Sequence, residues 1–116
     1  MIVGIGVDTV EVRRIEHFRR IPKFVESTFT SSEISNCHGN EAVYYATRLA
    51  CKEAVFKAIG FPKDWRKIEI LNHEDGKPYI SNKEYREYNI YISITTGIEF
   101  TTAFCVVEKL SDKMKS

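Results

Sequence analysis

One stretch of this chain constrains its fold more than any other: the run from Asn40 to Gly60. Asn40 is a good N-cap, Gly60 suits the left-handed position after a helix, and Pro62 forbids continuation, so both ends of a long helix are marked. At about 100° per residue, Ala42, Tyr45, Ala46, Leu49, Ala50 and Phe56 form one apolar stripe that should face the core. Glu53 falls inside that stripe, one turn from Leu49 and from Phe56. A carboxylate taken out of water is costly unless it is paired or coordinates a metal. Two readings stand for Glu53: an ion pair with Lys57, at i+4, on the edge of the core, or a functional carboxylate.

Ile2 to Asp8 reads as a strand whose parity is informative. Val3, Ile5 and Val7 face one way and are expected to pack, while Gly4, Gly6 and Asp8 face the other. That second face is bare until it reaches a carboxylate. Glycines inside a strand signal the close approach of another backbone or of a ligand. Asp8 can also cap the helix that follows, a role compatible with ligand binding.

From Glu11 to Arg20 the three-residue spacing of Val12, Ile15 and Phe18 predicts an amphipathic helix ended near Pro22. Its outer side carries Arg13, Arg14, Arg19 and Arg20, with Lys23 beyond, a basic patch that is either a solvated face or a landing site for an acidic partner. Phe24 to Phe29 is a short mixed segment. Thr30-Ser-Ser-Glu33 has the spacing of a capping box and predicts a short helix fading around Cys37. His38 has no other His or Cys at a ligand spacing and reads as a loop residue.

After the long helix, Phe61 to Lys67 is a loop, and Ile68 with Ile70 predicts a strand. Asn72-His-Glu-Asp-Gly76 is a hairpin turn, returned by Lys77-Pro-Tyr-Ile80, which Pro78 confines to an edge. Ser81 to Tyr88 is polar loop or one helical turn. Ile90, Ile92 and Ile94 alternate with polar partners as a half-buried strand. Thr96 to Glu99 turns the chain into a last strand, Phe100 to Glu108, with Ala103, Cys105 and Val107 on one side. The order predicts an α+β fold, a mainly antiparallel sheet packed against one long helix. A chain of 116 residues with 43% hydrophobic content suits one domain, residues 1–110, with a charged tail at 111–116.

The net charge of +1 argues against a globally basic nucleic-acid binder. Cys37, Cys51 and Cys105 fit no metal spacing and read as reduced thiols; with no basic leader and no apolar run of membrane length, the expectation is a cytoplasmic protein. If the helix lies on the sheet, Asp8 and Glu53 can meet, with Lys57 one turn on. Two oxygen donors of this kind suit Mg²⁺, and the added lysine suits phosphate.

Gly4-Ile-Gly-Val-Asp8 with Arg14-Ile15, Phe29-Thr30 with Glu33, Leu49-Ala-Cys-Lys-Glu-Ala54 with Lys57-Ala-Ile-Gly60, and Gly76-Lys-Pro78 together resemble the holo-[acyl-carrier-protein] synthase family of phosphopantetheinyl transferases. The similarity runs nearly end to end and keeps order and spacing. It implies a Mg²⁺-dependent transfer of 4′-phosphopantetheine from coenzyme A to a serine of an apo acyl carrier protein, releasing adenosine 3′,5′-bisphosphate. It further implies that Asp8 and Glu53 hold the metal, that Lys57 lies by the phosphates and that Gly76, Lys77 and Pro78 lie near the adenine. A homotrimer with active sites between subunits is implied as well. On this reading Glu53, or a water on the metal, takes the serine proton, and Lys57 stabilises the leaving group. Arg48 either contacts a coenzyme A phosphate or is solvated at the surface, and Arg13 and Arg14 meet the acidic carrier.

Two departures stand out. The usual Ser-Ile-Ser-His is here Ser93-Ile-Thr-Thr96, so an ionisable position holds Thr96. Phe61-Pro62 replaces a second glycine in the loop after the helix, and Pro62 has no N–H to offer a phosphate. The alternative function is a non-catalytic coenzyme A or carrier-protein binding protein of the same fold, against which retention of Asp8 and Glu53 argues.

Overall fold

The computed structural model describes residues 1–60 and 64–110; the expectations for Phe61-Pro62 and for the tail at 111–116 lie outside them. The elements are β1 (Ile2–Glu11), α1 (Val12–Phe18), α2 (Pro22–Thr28), α3 (Ser31–Ser35), α4 (Glu41–Ile59), β2 (Ile70–Asn72), β3 (Pro78–Ile80), β4 (Tyr88–Thr96) and β5 (Phe100–Lys109), with short 3₁₀ turns at Trp65–Lys67 and Lys83–Tyr85. Strands β1, β5 and β4 form one antiparallel sheet in that order, and β2 with β3 forms a separate hairpin.

The local signals near α3 and α4 are realised as hydrogen bonds. Asn40 Oδ1 accepts from Val43 N at 3.1 Å, and Gly60 closes the helix at φ 90°. In α3 the Thr30 hydroxyl accepts from Glu33 N at 3.2 Å, while Glu33 Oε1 accepts from Thr30 N at 2.9 Å. Two boundaries differ from expectation. β1 continues to Glu11 because its ladder with β5 persists to the Glu11–Phe100 pair, which delays α1 until Val12. Ile68 closes the preceding 3₁₀ turn, so β2 starts only at Ile70. The segment read as mixed is helical: Pro22 begins α2, where its missing N–H leaves no bond unmade.

The larger correction concerns β1. Its glycine face is the packed one: a Cβ on Gly4 would stand 1.8 Å from the carbonyl oxygen of Ala58, and one on Gly6 1.8 Å from that of Ala54. Val3, Ile5 and Val7 point outward instead, Ile5 being 60% exposed. Glycine is required because the backbone of α4 lies directly against the strand, leaving no room for a side chain. On the same face Ala103, Cys105 and Val107 of the central strand β5 are fully buried.

Burial also extends around α4 beyond the expected stripe. Tyr44, Arg48, Cys51, Lys52 and Val55 join it, because α1 and β2 cover sides that the sheet does not; Phe56 is only half-buried, against Trp65. Lys52 and Glu33 form an ion pair at 2.7 Å with no solvent access to either side chain. Its remaining capacity is used: Lys52 Nζ also donates to the carbonyls of Trp65 and Ile68, and Glu33 Oε2 accepts from Ile70 N.

Candidate active site

Asp8 leaves the packed face of β1 where Glu53 leaves α4, and the two carboxyls meet. Asp8 Oδ1 accepts from Lys57 Nζ at 2.9 Å, and the same ammonium donates to the Val7 carbonyl at 3.0 Å. Lys57 therefore binds Asp8 rather than forming the simple i,i+4 pair with Glu53. Asp8 Oδ2 is buried with no hydrogen-bond partner. Burial, and then the Asp8 carboxylate beside it, push the Glu53 carboxyl up to about 7, against the pull of Lys57 and Arg14. Two acceptors held face to face need a proton, a cation or a bridging donor between them.

The other expected site residues gather elsewhere. Arg48, Gly76, Lys77, Pro78 and Thr96 line one cavity of about 680 Å³ between α4, the β2–β3 hairpin and β4. Arg48, expected equally to be solvated, is only 5% exposed. Its Nη2 donates to Asn72 Oδ1, its guanidinium carbon stands 4.8 Å from the centre of the Tyr44 ring, and its Nε is buried without a partner. Asn72 Nδ2 donates to the Gly76 carbonyl at 2.9 Å, tying Arg48 to the turn where Gly76 has φ 91°. Sequence reasoning missed Asn72 and Tyr44 here, and gave His38, also on the cavity wall, no role. Tyr44 had a usable signal, since it sits one turn before Arg48 on the same helix.

The carboxylate pair and the cavity lie on opposite flanks of α4. Lys57 follows Arg48 by nine positions, half a turn out of phase at about 100° per residue. Asp8 belongs to the edge strand β1, and Thr96 to the edge strand β4 on the far side of the sheet. On α1, Arg13 and Arg14 are exposed, whereas Arg19 and Arg20 are drawn into ion pairs with Glu16 at 2.7 and 3.2 Å.

Fold and site together define a transferase class. Residues 4–105 match the family model of the 4′-phosphopantetheinyl transferase superfamily. Within it, the chain is 39% identical to the holo-[acyl-carrier-protein] synthase of Anoxybacillus flavithermus, over 96% of this chain and 99% of that one. It is 38% identical to the Clostridium beijerinckii enzyme of the same name, over 95% of this chain and 100% of that one. Among solved structures, a Bacillus anthracis holo-(acyl-carrier-protein) synthase in complex with CoA (3′,5′-ADP) superimposes with a TM-score of 0.83 at 34% identity, covering 95% of this chain and 99% of that one. The Neisseria meningitidis enzyme gives 0.84 at 29% identity, covering 94% of this chain and all of that one. The chain belongs to the holo-[acyl-carrier-protein] synthase family.

Proposed function

We propose that Asp8 and Glu53 hold one Mg²⁺ and that the cavity beside Arg48 receives the nucleotide end of coenzyme A. The chain transfers the 4′-phosphopantetheine of coenzyme A to a serine of an apo acyl carrier protein and releases adenosine 3′,5′-bisphosphate. The observation that carries the metal assignment is Asp8 Oδ2, a buried acceptor with no donor, facing a second carboxyl. Such a pair of hard oxygen donors suits Mg²⁺, which keeps several waters and takes substrate phosphate as well. When bound, the ion supplies charge neutralisation at the pyrophosphate and orients it for in-line attack.

The side chains do the rest. Glu53, or a water on the ion, is placed to take the serine proton. The Lys57 ammonium spends two of its three N–H groups on Asp8 and Val7, which leaves one aimed by that anchoring for a phosphate oxygen of the leaving group. At the cavity, the unpartnered Arg48 Nε is a donor for a phosphate.

The separation of carboxylates and cavity on the two flanks of α4 supports a homotrimer in which one copy's Asp8 and Glu53 face a neighbour's cavity. The outer face of the sheet supports it too, since Ile5, Val7, Tyr91, Phe100 and Phe104 are all more than 40% exposed. The carrier protein is acidic and meets Arg13 and Arg14, which form no salt bridge with an acidic side chain among the described residues. Free cysteines at 37, 51 and 105 support a cytoplasmic enzyme, and no helix among the described residues is long and apolar enough to cross a membrane.

The test is to incubate the protein with coenzyme A, Mg²⁺ and apo carrier proteins and to weigh the carriers. Addition of phosphopantetheine is the expected result, lost with chelator and in Glu53→Gln. Wild-type rates in Glu53→Gln would sink the metal assignment, and no addition to any of several carriers would leave a binding protein.

A further inference from the structure

The cavity beside Arg48 holds an imidazole that the transfer reaction leaves without work. His38 stands on its wall, carried there by the loop between α3 and α4. The Tyr44 ring positions both His38 and Arg48: the guanidinium lies over it at 4.8 Å, and the imidazole meets it edge-on at 5.6 Å. Tyr44 is itself anchored, its hydroxyl donating to the Glu33 carbonyl. His38 Nδ1 lies 2.9 Å from the carbonyl oxygen of Asn36. A carbonyl brings no proton, so Nδ1 carries the hydrogen and Nε2 is the atom left for a ligand.

That tautomer decides what Nε2 can bind. In the neutral ring it offers only a lone pair, which repels a phosphate oxygen. To donate to phosphate it must take a second proton, and the ring then becomes a cation beside Arg48. We infer that His38 Nε2 binds a phosphate group of the nucleotide together with Arg48 and takes up a proton in doing so, which couples nucleotide binding at this cavity to proton uptake. The inference rests on the cavity being the nucleotide site. Arg48 Nε, buried and unpartnered, is an independent sign that an acceptor belongs there.

The other groups facing the cavity leave this role open. From α4 come Arg48 and Tyr44. From the β2–β3 turn come Lys77, a second cation, and Asp75, whose Oδ1 is already engaged by the Lys77 backbone N–H at 3.0 Å. From β4, Thr96 can donate a hydrogen bond and cannot change charge. Proton uptake on binding a phosphate therefore falls to His38.

The experiment is calorimetric titration of the full chain with adenosine 3′,5′-bisphosphate in buffers of different ionisation enthalpy, comparing wild type with His38→Gln and Arg48→Gln. The phosphate's own second ionisation, near pH ~6, is common to all three, so the difference isolates the imidazole. Wild type should take up protons at pH 7.5, and His38→Gln should not. Loss of one charge-assisted bond should weaken binding about tenfold at pH 6.5, with a smaller loss at pH 8.5. Arg48→Gln should weaken binding at every pH and keep the uptake. Unchanged affinity and uptake in His38→Gln, with the same melting temperature as wild type, would overturn the inference alone. Failure of wild type to bind the bisphosphate would overturn the cavity reading and the inference with it.

Discussion

Gly6 and the Ala54 carbonyl oxygen are placed so closely that a methyl group on the glycine would stand 1.8 Å from it. Ala54 is the residue after Glu53, so the same contact that seats α4 on β1 sets how near Glu53 comes to Asp8. Because the obstacle is backbone, Gly6→Ala must push the helix off the strand. The expected cost is about 3 kcal/mol or more, read by urea unfolding, with phosphopantetheine transfer falling further than the loss of folded protein explains. A variant of wild-type stability would remove this account of the glycines.

The Glu33–Lys52 pair makes a second prediction. Lys52→Met leaves a carboxylate buried without its counter-charge and should cost about 3–5 kcal/mol. Adding Glu33→Gln to it removes that stranded charge while the amide can still accept from Thr30 N or Ile70 N. The double variant should thus be more stable than Lys52→Met alone, as thermal unfolding of the three proteins would reveal.

Glu53 predicts how stability follows pH. Its carboxyl sits at about 7 against a reference of 4.5, so between those values the folded state keeps a proton that the unfolded chain has released. A group raised in this way favours folding at low pH and loses that contribution as pH rises through 7. In chelator the melting temperature should therefore carry a component that falls from pH 5 to pH 8 and is absent in Glu53→Gln. Mg²⁺ competes with that proton, so its stabilising effect should be larger at pH 8 than at pH 6. A Mg²⁺ effect independent of pH would contradict the pairing of Asp8 with Glu53.

The outward sheet face makes a fourth prediction. Val7 and Phe104 are directly paired across β1 and β5 and both exposed. Val7→Glu or Phe104→Glu should leave the fold intact and lower the mass measured by light scattering from trimer to monomer. Transfer should fall with it if, as proposed, the carboxylates of one copy face the cavity of a neighbour. A monomeric wild type would refute the assembly.

What could be read along the chain was local. The caps of α4, the capping box at Thr30 and Glu33, the turn at Gly76 and the alternation of β4 and β5 each depend on residues a few positions apart, and each appears where expected. The pattern of acids and glycines around Asp8 and Glu53 was legible for the same reason, since a carboxylate in an apolar stripe is anomalous wherever the stripe packs. The helix α2, Pro22–Thr28, was not legible where Phe24 to Phe29 read as a mixed segment, because Pro22 marks an end and a beginning equally well.

The sequence by itself determined most of the elements, their order, the family and the pair of acids able to meet. Tertiary structure alone decided which face of β1 is inside, because the bare glycine face and the apolar face compete, and the close approach of α4's backbone wins. It also decided that Lys52 is buried rather than solvated and that Arg48 serves a cavity on the far flank of α4 from Lys57. Periodicity orders side chains around one axis, whereas burial depends on how many neighbours cover that axis. For α4 they cover almost all of it.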